Sequence, residues 1–427
     1  MMQMNKHFPA ERHIVLANGL RVHLVPRPDF HQMAANLTVD FGGRDDTFYW
    51  KNQTITQPLG VAHFLEHRIF GQPDYDAFQK LSELGADANA FTSQSRTSYY
   101  FTSLANNLAA LSELLHFTQT PYFPEDAVKR EAQIISQEAD MYQDNVDARL
   151  YRMLLGQLYP GDLLGEEIVG NHVSLDQITG QTLQTAFEAF YQPGNMDIFV
   201  TGAFDADAVL ATIEQSTAGQ RSGKVVAQVN TPKLAEPQTE PKIVSLPTNR
   251  TKVALGQRWR TPETMPTGRA GLKEMIAVSL ALDLVFGELS PQYMDWYDAG
   301  IIDDDFSVEF EWERGFAFIT VATDTPEPET VISEISTVLR HLAHTFAQLQ
   351  SEFDLVKKDA MGRAVNRFNF MEEDAVSFEG NLFDGSTVMD EYSILEEIDV
   401  TFVQSVLDQN PLPEISSIIV RPNLGLL

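Results

Sequence analysis

The chain has 427 residues, 43% of them hydrophobic, no cysteine and a formal net charge of −30. That length predicts two or more domains with substantial cores, and the missing cysteines exclude disulfides and thiolate metal sites. With 60 acidic against 30 basic residues a nucleic-acid partner is not expected, and without an apolar run of roughly 20 residues neither is a membrane span.

Residues 13–26 predict a hairpin, because Asn18-Gly19 is a type I′ turn signal between two alternating apolar runs. The stretch 33–42 predicts a third strand. A polar loop then leads into Gly60–Gly71, centred on His63-Phe64-Leu65-Glu66-His67. On a helix, positions i, i+3 and i+4 share one face, so both imidazoles and the carboxylate point into one volume. Two neutral imidazoles four apart suit Zn²⁺, which takes nitrogen ligands at about 2 Å. A glutamate beside them can serve as general base. The H-x-x-E-H pattern is the inverted zincin motif. Read blandly, His63 and His67 are ordinary helix residues, so five positions need support from the rest of the chain.

Tyr75–Leu84 predicts a helix closed by Gly85. Two strands, Ala88–Thr92 and Thr97–Leu104, turn at Ser93–Arg96. Helices are expected over Leu108–Thr118 and from Phe123 through about Tyr142, the latter opened by Pro124 and early acids. Glu131 and Glu138 stand two turns apart on this helix, on one face. A helix over 174–191 and a strand over Asn195–Gly202 follow. Between Ser216 and Pro247 the composition shifts to Gln, Lys, Pro, Glu and Thr, the best linker in the chain.

The second half then repeats the order of the first. Strand Lys252–Trp259, helix Leu272–Phe286, helix Pro291–Tyr297, strands Phe306–Trp312 and Phe316–Thr323, and helices Val331–Leu349, Phe353–Phe368 and Thr401–Gln409 precede a strand at Ile415–Val420. Ala62–Gly71 aligns with Val278–Gly287, and Ala127–Glu131 with Leu355–Asp359. In that copy Ser279, Leu282 and Asp283 stand for His63, Glu66 and His67, and Asn366 faces Glu138. The repeat predicts an α+β protein of two related domains, each an antiparallel sheet with helices packed on one face. The expected division is a zinc-binding catalytic domain over 1–220, a linker over 221–247 and a homologous domain without a metal site over 248–427.

A catalytic zinc takes three protein ligands and leaves one position open. No third histidine near the motif offers itself, and His341 and His344 lie on a polar-faced helix with no suitably placed acid. The Glu131–Glu138 helix does better. Ile134, Ile135 and Met141 put one of its stripes in the core, where carboxylates are costly unless paired or metal-bound. A solvated charged face is the plainer alternative.

Together, His63–His67, Asn89-Ala90-Phe91-Thr92 downstream and the helix bearing Glu131 and Glu138 resemble the pitrilysin family of zinc peptidases, and most of all its short bacterial, YmfH-like members. The resemblance spans essentially the whole chain. It implies that His63, His67 and Glu138 hold Zn²⁺, that Glu66 is the catalytic base and that Glu131 supports a ligand from behind. It further implies that Asn89, Ala90, Phe91 and Thr92 form an edge strand that pairs with the backbone of a peptide substrate. The family also places an Arg and, seven residues on, a Tyr in the second half. The matching stretch here, Trp296–Ser307, has no such pair. The expectation is therefore a cytoplasmic zinc metallopeptidase acting on oligopeptides, completed by a homologous second chain that carries the pair, or acting as a homodimer. The alternative is a non-catalytic scaffold subunit of a peptidase complex.

Overall fold

Alternating apolar residues generate a sheet in each half of the chain, and apolar stripes at helical spacing cover it. The computed structural model describes residues 11–223, 227–230, 233–260, 264–411 and 414–423. Residues 224–226 and Thr231-Pro232 of the expected linker lie outside them.

The first strands, β1 (Arg12–Val15) and β2 (Arg21–Pro26), form the expected antiparallel hairpin. Gly19 in its turn has φ 95°, and an added Cβ would come within 2.9 Å of Gly194, so a side chain is excluded twice over. Strand β3 (Met33–Val39) is buried throughout. A short hairpin, β4 (Thr47–Trp50) and β5 (Gln53–Thr56), occupies the expected polar loop. Strands β6 (Ala86–Thr92), β7 (Thr97–Ser103) and β8 (Met196–Gly202) complete the set. The resulting six-stranded sheet runs β1-β2-β8-β3-β7-β6, so β6 is an edge strand.

Within the proline-rich stretch, β9 (Gln228–Val229) pairs with β4, and β10 (Lys242–Leu246) joins a second sheet. That sheet adds β11 (Lys252–Arg260), β12 (Ser307–Glu313), β13 (Phe316–Asp324) and β14 (Ser416–Pro422), in the order β10-β14-β11-β13-β12. The duplication is visible strand by strand. The series β2-β8-β3-β7-β6 and the series β10-β14-β11-β13-β12 have the same chain order. In both, the first pair is parallel and the other three are antiparallel. The parallel pair is a long-range closure: β8 returns beside β2 and β14 returns beside β10.

The chain divides into two compact units. One comprises Met1–Ala139, Glu167–Asn230 and Asn366–Met389, the other Asp140–Glu166, Thr231–Val365 and Asp390–Leu427. Each half thus lends a segment to the other unit. In the first unit the main core fills one face of the sheet, with Leu24, Ala35, Leu37, Ile198 and Val200 among its members. The opposite face, with Val25, Ala34 and Phe199, is covered by the short helix Met371–Val376. In the second unit the helix Val146–Leu158 plays the same part. It lays Leu150, Leu154 and Leu158 against Ala254, Phe318, Ile418 and Val420. In each unit, besides the helices on one face of the sheet, a helix from the other half of the chain lies on the opposite face.

Candidate metal centre

The helix Val61–Ile69 carries the motif. It starts at Gly60, whose left-handed φ of 91° and close approach to the Val169 carbonyl leave no room for a side chain. Phe64 and Leu65 are fully buried and seat the helix in the core. That seating turns His63, Glu66 and His67 toward a second helix, Glu125–Asp144. The latter is anchored by Val128, Ile135 and Ala139. Ile134 and Met141, expected in its core stripe, are exposed instead. At 100° per residue the buried stripe lies next to the line of Glu131 and Glu138, so both acids stand at the edge of the buried face.

Here the two helices bring three donors together. His63 Nε2 lies 3.6 Å from Glu138 Oε1, and His67 Nε2 lies 3.7 Å from Glu138 Oε2. The ligand atoms of all three residues fall within 4.8 Å of one another, the one such group among the described residues. These separations are too long for hydrogen bonds. They are close to the roughly 3.4 Å that separates two ligand atoms each about 2.1 Å from a tetrahedral ion. Two nitrogens and a carboxylate are donor chemistry that zinc accepts, so the residues fit the metal that the sequence implies.

Surroundings tune each group. Burial, and then the neighbouring His67, push the His63 imidazole down to about 3, so it is neutral with a lone pair available. His63 Nδ1 is buried without a hydrogen-bond partner in the protein. His67 differs. Burial opposes its charged form, but the bond from Nδ1 to Glu131 Oε1 at 3.1 Å and the charges of Glu66, Glu131 and Glu138 outweigh it and raise its pKa. Burial raises Glu66 above the ordinary carboxylate range, although the Thr92 hydroxyl donates to Oε2 at 2.7 Å.

Asn89, Ala90, Phe91 and Thr92 all lie on edge strand β6, whose one neighbour in the sheet is β7. Thr92 faces the motif helix through its bond to Glu66, a contact that no sequence spacing announces. At the other end of the β6–β7 turn, Arg96 packs over the Phe91 ring and donates to the Phe378 carbonyl and to Glu379. His341 marks a break between two helices, and His344 pairs with Gln348, so neither joins a metal group.

Residues 21–172 match the family profile described as Insulinase (Peptidase family M16), and residues 177–358 match the one described as Peptidase M16 inactive domain. An uncharacterized zinc protease of Bacillus subtilis (strain 168), YmfH, is 33% identical over 402 residues, 93% of each chain. The chain belongs to peptidase family M16. The family resemblance drawn from His63–His67 and the Glu131–Glu138 helix holds. A solved M16-like peptidase described as putative, from Alicyclobacillus acidocaldarius, superposes with a TM-score of 0.89 at 26% identity, covering 97% of this chain and 98% of that one. A structure titled peptidase M16 inactive domain from Pseudomonas fluorescens shares the M16 fold, with a TM-score of 0.76 at 19% identity over 97% and 98% of the two chains. Family membership thus goes with zinc protease names as well as with a domain called inactive.

Proposed function

We propose that this chain is a zinc-dependent endopeptidase of the inverted-motif kind that hydrolyses oligopeptides in the cytoplasm, as the metal-bearing subunit of a two-chain clamshell. The observation that carries this reading is the convergence of His63, His67 and Glu138, with Glu66 projecting from the same helix turn. Three protein donors leave one position of a tetrahedral ion open, as a catalytic rather than a structural site requires. Bound there, zinc supplies Lewis acidity toward the scissile carbonyl and the attacking water.

The remaining roles fall to the chain itself. Glu66 Oε1 takes the proton of the attacking water and delivers it to the leaving amine nitrogen, while Thr92 holds Oε2 in place. Glu131 accepts a hydrogen bond from His67 Nδ1–H, which leaves the Nε2 lone pair for the ion. The outer edge of β6 offers alternate backbone groups of Asn89–Thr92 to an extended peptide, which would displace the Asn89 side chain from the Ala90 N–H.

Oxyanion stabilisation is the missing part. The stretch Trp296–Ser307 has no Arg and Tyr seven apart, and its Tyr297 hydroxyl is engaged with Asp304. A homologous second chain carrying the pair would supply it, and such a donor is typically worth about 10²–10³ in rate. The test is hydrolysis of a fluorogenic oligopeptide by the purified chain, alone and mixed with such a relative from the same genome, with zinc removed by chelation and restored. Zinc-dependent turnover that appears on mixing is expected. Robust turnover by the chain alone would overturn the partner requirement. A zinc-loaded chain inert in every combination would favour the scaffold alternative.

A further inference from the structure

The motif helix carries one more side chain directed at the metal centre. Arg68 follows His67 immediately, and its side chain is 12% exposed. Its Nη1 lies 3.9 Å from Glu131 Oε2, while Glu131 Oε1 accepts from His67 Nδ1 at 3.1 Å. The two oxygens of one carboxylate are thus shared between the guanidinium and the imidazole. Arg68 is itself placed from behind. Its Nη2 donates to the Tyr122 carbonyl at 3.3 Å, and the guanidinium turns its Nη1–Nη2 edge toward Gly71. A Cβ on Gly71 would stand 2.6 Å from both Nη1 and Nη2, so the bare glycine is what admits the guanidinium there.

Resting on the metallopeptidase reading, we propose that Arg68 is a positioning residue for the zinc site: cradled by Gly71 and the Tyr122 carbonyl, it orients Glu131 so that Glu131 fixes the tautomer and ring angle of His67. The relay runs from the Tyr122 carbonyl through Arg68, Glu131 and His67 to the metal volume. At 3.9 Å the Arg68–Glu131 contact is an electrostatic restraint rather than a hydrogen bond. It selects one rotamer of a carboxylate that His67 alone would hold by a single bond. His63, whose Nδ1 has no protein partner, has no such support, so the order of the site depends on the His67 side. Gly71 belongs to this device although it touches neither metal nor substrate.

The test measures zinc affinity of the purified chain by competition with a chromophoric chelator, alongside thermal melting of the metal-free protein. Losing the direct partner of a ligating histidine typically costs about 10–100-fold in metal affinity, which is the effect expected for Glu131→Gln. Arg68→Met acts one step further out and should weaken zinc by about three- to tenfold. Arg68→Lys, which keeps the charge, should recover part of that loss. Gly71→Ala leaves the whole relay chemically intact but displaces the guanidinium, and it should weaken zinc by about the same factor as Arg68→Met. The deciding result is coupling: in a Glu131→Gln background, Arg68→Met and Gly71→Ala should have no further effect. Zinc affinity unchanged in Arg68→Met and Gly71→Ala, or losses that simply add to that of Glu131→Gln, would overturn the relay. Should Arg68→Met fail to fold, Gly71→Ala and Arg68→Lys decide the question in the same way. A wild-type chain that takes up no zinc would defeat the metal reading itself, a distinct outcome.

Discussion

The same pair of helices occurs twice in this chain and ends in two different chemistries. In the first unit, Val61–Ile69 and Glu125–Asp144 converge on two imidazoles and a carboxylate. In the second, their counterparts are Gly268–Phe286 and Phe353–Arg367. There Asp283 stands where the first unit has His67, and Asp359 where it has Glu131. Between them lies Arg363, which donates to Asp283 at 2.6 Å and also to Asp359. Ser279, in the place of His63, turns its hydroxyl back to the Met275 carbonyl, and Leu282, in the place of Glu66, is buried. Asp283 and Ser279 thus stand where the first unit has its two imidazoles, and Arg363 ties Asp283 to Asp359. The scaffold fixes where two helices meet, and three or four side chains decide whether that meeting point can hold a metal.

Four substitutions probe this contrast. Glu66→Gln removes the carboxylate and keeps the fold and zinc. Peptide turnover of the active assembly should fall by roughly 10²–10⁴-fold with zinc content unchanged, and a variant that stays active would reassign the base.

Next comes Asp197, in the parallel pair that both sheets share. In the first sheet Asp197 stands opposite Arg21, accepts two bonds from it and a third from His23, and is almost fully buried. The second sheet opens its parallel pair with Lys242 opposite Ile418 and has no such cluster at that position. Burial opposes ionisation of Asp197, but the bonds from His23 and Arg21 prevail and hold its carboxyl below the usual range. Asp197→Asn leaves Arg21 without its partner and should cost about 3 kcal/mol at neutral pH in chemical denaturation. Because the folded value is depressed, the wild-type contribution is complete above pH of about 4, the ordinary value for aspartate, and fades as acid titrates the folded group. A variant as stable as wild type at pH 7 would show the cluster to be neutral.

A smaller effect of opposite sign is expected at the other edge of the comparison. Strand β12 is the counterpart of β6, but it carries Glu309, Glu311 and Glu313 at alternate positions, whereas β6 has one acid, Asp87. Burial, then Glu313 and Glu309, raise Glu311 to about 7. For a raised carboxylate the folded state holds its proton longer, so stability is highest below the unfolded value near 4.3 and is lost between there and pH 7. Glu311→Gln should be more stable than wild type by about 1 kcal/mol above pH 7 in low salt, since exposure and screening discount the full shift. The difference should vanish below pH 4, and a constant difference across pH would contradict the assignment. Last, Arg363→Met breaks ion pairs that are more than 40% exposed on every side chain, and it should change melting by no more than about 0.5 kcal/mol.

Local signals carried much of the fold in the sequence itself. Asn18-Gly19 announces its hairpin, although the turn is not the type I′ expected, because Gly19 but not Asn18 takes a positive φ; the acids after Pro124 announce the start of the long helix. The motif puts its two imidazoles and its glutamate on one helix face without outside help. The choice of Glu138 rests on the family resemblance, because the expected stripe of Ile134, Ile135 and Met141 is split, with only Ile135 buried. The hairpin β4–β5 was hidden because Lys51 and Asn52 adopt positive φ, 48° and 65°, without a glycine to mark the turn. Val331–Leu349 reads as one helix but breaks at His341. The helices Val146–Leu158 and Met371–Val376 escape notice for a common reason. Their partners in the sheets lie far away in the chain, beyond any periodicity within the segments themselves. Arg68 and Thr92 belong to the same class: their roles come from contacts across helices and strands, not from spacing.

One of the two helix pairs is expected to hold a metal and the other is not. Elemental analysis of the purified chain and two variants tests this difference most directly, one variant altered in each pair. One zinc per chain is expected in the wild type, one in Asp283→Ala, and none in His63→Ala. Full zinc in His63→Ala, or loss of zinc in Asp283→Ala, would contradict the account.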